Sequence, residues 1–149
     1  MRSRLLFLLC VTAIFFTAGL AAGGQKEEAV SLVKQGAAYV KSNGPEKAVQ
    51  EFNNKKGKFV KGELYIFAVD MKGITLAHPM NPKLVGKDMS IIKDADGKFF
   101  ARDFINVATN PGKGWVDYKW TNPTTKKIEP KSSYIERTGD MLIGCGIYR

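Results

Sequence analysis

Trp115, Tyr118, Trp120 and Tyr134 crowd together with Lys131 in one stretch, GKGWVDYKWTNPTTKKIEPKSSY, from Gly112 to Tyr134. Held on the face of a sheet, these residue types make a pocket for a small anion. A lysine supplies a charge-assisted hydrogen bond, and tyrosines donate phenolic ones while their rings exclude water. Lys131 is the first candidate cation, because it opens a strand that faces the aromatic one. The competing reading is plain sheet packing, since aromatics dominate ordinary cores. Alternation along a strand puts Tyr118 on one face with Val116 and Trp120, and Trp115 with Asp117 on the other. Tyr118 and Trp120 therefore belong together, and Trp115 packs elsewhere.

His78, the single histidine of the chain, ends a strand where the chain leaves the sheet. It could donate to a carboxylate, and protonation near its ordinary pKa of about 6.5 would strengthen that bond. Tyr65, on the preceding strand, is within reach, and Lys87 and Arg102 are reserve cations. The sequence has no nucleophile elbow, no glycine-rich phosphate loop and no His/Cys metal cluster. One histidine and one cysteine in an apolar run cannot build a common zinc site. Asp94 and Asp96 before Gly97 lack the downstream glutamate of a calcium loop and read as a turn. No catalytic activity, metal or cofactor is expected.

The elements that must position these groups follow from periodicity. Lys26 to Ser42 reads as a helix: Ala29, Leu32, Val33, Gly36 and Val40 share one stripe, and Glu27 and Glu28 suit its positive end. Asn43-Gly44-Pro45 stops it, and Pro45 opens a second helix to about Asn54 that buries Ala48, Val49 and Phe52. Glu63 to Asp70 is a strand, and Ile74 to His78 returns from it as a hairpin. His78-Pro79-Met80-Asn81-Pro82 leaves the sheet, because prolines end ladder pairing. Lys83 to Asp96 reads as irregular, and Phe99 to Thr109 as a helix with Phe100, Phe104, Ile105 and Ala108 inward. Two strands joined by a turn at Asn122-Pro123 follow, then a last strand, Met141 to Tyr148. This order predicts an α+β domain of PAS type. It has a five-stranded antiparallel sheet and a long N-terminal helix. The segment from His78 to Pro111 crosses between the second and third strands, with a ligand pocket beneath it.

Residues 1–23 read as a secretory signal peptide, with basic Arg2 and Arg4, an apolar run from Leu5 to Phe16, and small Ala18, Ala21 and Ala22. The run falls short of the roughly 20 residues of a bilayer span; a retained anchor is the alternative. The remainder, 24–149, suits one domain, expected to be periplasmic or secreted. Losing Arg2 and Arg4 lowers the formal net charge from +9 to +7. The remaining lysines are spread over turns, and nucleic acid is not an expected partner of an exported chain without a recognition motif. Cys145, alone once Cys10 leaves, reads as a buried small hydrophobe.

Four blocks resemble the extracellular single Cache domain, second subtype. They are GELYIFAVDMKGITLAHPMNPKLVGKD (Gly62 to Asp88), GKGWVDYKW (Gly112 to Trp120), PKSSY (Pro130 to Tyr134) and IGCGIY (Ile143 to Tyr148), in the family's order and spacing. The resemblance implies a PAS-like sensor that recognises small ligands, some of them short carboxylates, outside the cytoplasm, and it places a ligand contact near Lys131. The expected ligand-binding residues are thus Lys131, Tyr118, Trp120, Tyr134, His78 and Tyr65. A receptor of this family would continue past the last strand into a second membrane helix. The sequence stops at Arg149 and resembles the stand-alone exported form. Its expected partners are a small organic anion and a membrane receptor or histidine kinase of a chemotaxis or two-component system. The rival expectation is an envelope interaction module, pairing with itself as a homodimer or with another protein through the N-terminal helix. An exposed apolar stripe on that helix would favour it, and a stripe buried in the chain's own core would count against it.

Overall fold

The structure, a computed structural model, describes residues 19–149; the expected signal peptide lies outside the described residues up to residue 18. Helix α1, Gly19–Asn43, carries the stripe read from the sequence, and Ala29, Leu32, Val33 and Val40 are all buried. Gly36 sits in the same stripe. A Cβ there would run into the Ile66 side chain, so the missing side chain lets the helix lie close on the sheet. The stripe is consumed in the chain's own core, which counts against its use as a partner surface. Helix α2, Pro45–Phe52, starts on its proline, whose fixed φ and missing N–H suit a first turn.

Six strands form one antiparallel sheet: β1 (Val60–Lys61), β2 (Leu64–Asp70), β3 (Thr75–Ala77), β4 (Lys113–Thr121), β5 (Ile128–Thr138) and β6 (Met141–Tyr148). The order is β1-β2-β6-β5-β4, and β3 also pairs with β2. Five of these are the expected strands. The sixth, β1, is only two residues long and pairs Val60 with Tyr65 and Lys61 with Leu64.

Both faces of the sheet are covered, which explains why the LYIFAVD run of β2 is apolar throughout. Leu64, Ile66 and Ala68 join Ile143, Cys145 and Ile147 under α1 and α2. Tyr65, Phe67 and Val69 join Leu142 and Ile135 on the opposite face, under helix α3, Phe100–Thr109. Cys145 is fully buried, and burial pushes its thiol up to about 12, in keeping with a hydrophobic role.

The crossover is ordered by backbone bonds to the sheet rather than by regular structure of its own. The Gly86 and Met89 amides donate to Thr75 and Gly73, at 2.8 Å each, and the Thr75 amide donates to Lys87 at 2.9 Å. One short 3-10 turn, Pro82–Leu84, precedes this strip. The Asp94 turn docks on the far edge: one carboxylate oxygen accepts the Asp96 and Lys98 amides, and the other accepts the Lys119 amide of β4 at 3.0 Å. Among the described residues no group of acidic, histidine or cysteine side chains could hold a metal ion.

Candidate ligand site beneath the crossover

The site is built on alternate residues of four strands. In β4, Val116 and Tyr118 are buried while Trp115 and Asp117 are exposed. Tyr118 lies opposite Lys131 of β5, and Lys131 opposite Tyr148 of β6, so the three share a face. Tyr65 of β2 points to the same side. Beyond β3, His78 closes the row, its ring 5.2 Å from that of Tyr65 and 6.5 Å from that of Trp120. Five of the six expected residues, Tyr65, His78, Tyr118, Trp120 and Lys131, are thus brought together.

Tyr134 is not among them, and its assignment is corrected. It packs under α1 on the other face of the sheet, with its ring 5.6 Å from Trp115. It lies three positions beyond Lys131, and an odd offset within a strand reverses the face. Trp115, read as packing elsewhere, lies against Tyr134 and below the ammonium of Lys26 at 5.4 Å. The reserve cations stay outside: Arg102 stacks on Phe99 at 3.8 Å and donates to the Ser90 carbonyl, and Lys87 is exposed.

Lys131 is 1% exposed. Its ammonium donates to the Tyr65 hydroxyl at 2.9 Å and lies 4.7 Å from the centre of the Tyr148 ring. None of the ion pairs among the described residues involves it. Burial pulls its pKa from 10.5 down to about 7, because a cation loses its hydration there and no carboxylate replaces it. His78 is also buried. Its Nδ1 accepts the Asn81 amide at 3.0 Å, which puts the ring proton on Nε2. Burial first, and then the charge of Lys131, lowers its pKa to about 3. The expected protonation near 6.5 is therefore corrected: His78 is a neutral donor at every physiological pH. The Tyr118 hydroxyl shares a 2.9 Å hydrogen bond with Ser133, and burial holds its proton well above the usual range.

Two voids meet at His78 and Trp120. The inner one, about 30 Å³, is walled by Phe67, Val69, Leu84, Met89, Phe100 and Phe104, with Thr75, His78 and Tyr118 as its polar groups. That volume admits about two water-sized groups. The outer one, about 250 Å³, is lined by Tyr65, His78, Asn81, Trp120 and Lys126 among others. Thr75 was missed by sequence reasoning, although the hairpin placed it one strand from Tyr65. Its Oγ1 is buried without a hydrogen-bond partner. A Thr75→Val substitution should therefore leave the free protein as stable or raise its stability by up to about 1 kcal/mol, because an unpaired hydroxyl costs more than the methyl that replaces it. Urea unfolding checks this; a loss above 1 kcal/mol would reveal a partner for the hydroxyl.

Gly146 makes room for the lysine. A Cβ at that position would collide with Lys131 Cε and stand 2.5 Å from Ser133 Oγ. Gly146→Ala is expected to destabilise the protein by about 1–3 kcal/mol through overpacking. In a Lys131→Ala background the part of that cost owed to the lysine should vanish while the contact with Ser133 Oγ remains, and a double-mutant cycle read by thermal unfolding measures the difference.

Known proteins share the fold that carries this site. The methyl-accepting chemotaxis protein McpP of Pseudomonas putida is 33% identical over 86 residues, 56% of this chain and 16% of that protein, so the chain spans less than a fifth of its relative. The crystal structure of a methyl-accepting chemotaxis protein from Vibrio parahaemolyticus superposes with a TM-score of 0.72 at 28% identity, covering 87% of this chain and 91% of the other. A Cache chemosensory domain, solved for the basis of its carboxylic acid recognition, gives a TM-score of 0.71 at 23% identity over 89% and 98% of the two chains, a likeness of fold. The family model for Single Cache domain 2 matches residues 25–149, and the chain belongs to that family of sensor domains.

Proposed function

We propose that the domain from residue 24 onward is an exported sensor that binds a short organic carboxylate and passes its state to a chemotaxis or two-component partner. The observation that carries this reading is Lys131: a buried cation without a carboxylate, 2.9 Å from the Tyr65 hydroxyl and on the face shared with Tyr118 and His78. Buried charges are ordinarily paired, and leaving one unpaired is costly. An anionic ligand would supply the missing partner. The His78 Nε2–H and the Thr75 hydroxyl, which has no partner of its own, would complete its hydrogen bonds, and Phe67, Phe100 and Phe104 would wall its carbon end. The carboxylic acid recognition attributed to the structurally similar Cache domain supports the same class of ligand.

Among the described residues no helix is long and apolar enough to cross a membrane. On this reading residues 1–23 act as the signal peptide. A homodimer through α1 would have to use the helix face turned away from the buried stripe.

A thermal-shift screen of residues 24–149 against acetate, propionate, pyruvate, lactate and amino acids tests the proposal. A ligand selective for the folded state stabilises it by about 2.7 kcal/mol at a hundredfold excess over its dissociation constant. A carboxylate hit abolished by Lys131→Ala is the expected result. A hit indifferent to both Lys131→Ala and Tyr118→Phe would remove the ligand from this site.

A further inference from the structure

We infer that the ligand is two-ended: an organic acid of three or four carbons with a second anionic group, held between the Lys131 side of the site and Lys126 at the rim of the outer void. This rests on the reading above and extends it to the second end of the ligand.

The outer void supplies the space. At about 250 Å³ it is far larger than the inner one, and it adjoins it at His78 and Trp120. Its floor includes Tyr65, whose hydroxyl is the contact of the Lys131 ammonium. Its rim carries Lys126 and Asn81, a cation and an amide. No carboxylate lines it. Glu129, cross-strand from Trp120, has its two oxygens occupied by Asn122 at 2.8 Å and Thr125 at 2.5 Å.

The backbone at Lys126 points the same way. Lys126 is the one non-glycine residue with positive φ among the described residues, at 62°. A residue with a Cβ pays for that conformation, and such strain persists where the surroundings over-determine it, often at ligand clamps. Here the surroundings are buried Asn122. Its carbonyl accepts the Lys126 amide, its own amide donates to Lys127, and its side-chain oxygen accepts the Thr124 amide, at 2.8 to 2.9 Å. Asparagine or glycine would suit the turn better; lysine at this position brings a charge to the rim. A ligand with one carboxylate toward Tyr65 and Lys131 and a second acidic group toward Lys126 and Asn81 satisfies both ends.

Succinate and propionate, titrated calorimetrically into residues 24–149, separate the cases. Succinate is expected to bind at least about tenfold more tightly, the effect of one added charged hydrogen bond. Lys126→Asn keeps a residue tolerant of positive φ and removes the charge. It should erase the succinate advantage and leave propionate binding unchanged. Propionate binding as tight as succinate in the wild type, or a Lys126→Asn change that weakens both acids alike or neither, overturns the two-ended ligand while leaving carboxylate sensing intact. Binding of neither acid, nor of any acid in the screen, overturns both.

Discussion

Replacing Lys131 by methionine should abolish carboxylate binding and at the same time make the free protein more stable. Methionine matches the length of the lysine stem and carries no charge, so it fills the space that Gly146 leaves beside β6. The drop of the Lys131 pKa from 10.5 to about 7 corresponds to about 5 kcal/mol spent on holding the ammonium in its buried position. Losing the hydrogen bond to Tyr65 offsets part of that gain, by about 1–3 kcal/mol. The net expectation at pH 6, where the lysine is charged in both states, is about 2 kcal/mol of added stability, or a rise in Tm of roughly 5–10 °C. Loss of the buried charged contact should weaken ligand binding by at least about a hundredfold. Calorimetric titration and thermal unfolding of one variant read both effects. A merely structural lysine predicts the opposite sign for stability, because its removal would then break a favourable contact. A variant that is less stable at pH 6 and still binds would dispose of the ligand-gap interpretation.

The contrast between Tyr118 and Tyr134 shows what was legible in the sequence. Period-two alternation along the aromatic strand separates Tyr118 and Trp120 from Trp115, as they stand in the sheet. The same rule, applied from Lys131 to Tyr134, puts those two on opposite faces; the aromatic composition of the stretch obscured it. The helices were legible because each carries one apolar stripe, and the cover over the site because Phe100 and Phe104 recur at helical spacing. The two-residue strand β1 was not, because Val60–Lys61 is too short to show a period. The crossover looks irregular in the sequence for a related reason: its order comes from bonds to Thr75, Gly73 and Lys119, outside the segment's own local pattern. The state of His78 was equally hidden. Its residue type sets an ordinary pKa, but its burial against Tyr65, Phe67 and Trp120 depends on β2, β4 and the end of β3 meeting.

Ligand affinity and the stability of the free protein should respond to pH in opposite directions. In the free protein, Lys131 titrates near 7 and near 10.5 once unfolded, so between those values the unfolded state binds more protons. Stability therefore rises with pH across that window. His78 adds a second limb of the same sign: its folded pKa of about 3 lies below 6.5, so its contribution is complete above 6.5 and is lost as pH falls toward 3. The raised phenols of Tyr65, Tyr118 and Tyr148 reverse the trend only above pH 10, where they ionise in the unfolded chain and not in the folded one. A carboxylate, by contrast, binds the ammonium form of Lys131. Its affinity should be flat from pH 5.5 to about 7 and then fall by up to about tenfold per unit, so that binding at pH 8 takes up close to one proton. His78, neutral throughout, contributes no step. Calorimetric titrations in buffers of different ionisation enthalpy read the proton uptake directly, and thermal shifts with and without propionate at pH 6 and pH 9 read the crossing. The propionate-induced shift should be large at pH 6 and nearly gone at pH 9, although the free protein melts higher at pH 9. An affinity that stays level across this range would mean that the anion meets a cation already fully charged, and Lys131 would then have to be replaced as its partner by an exposed side chain such as Lys126.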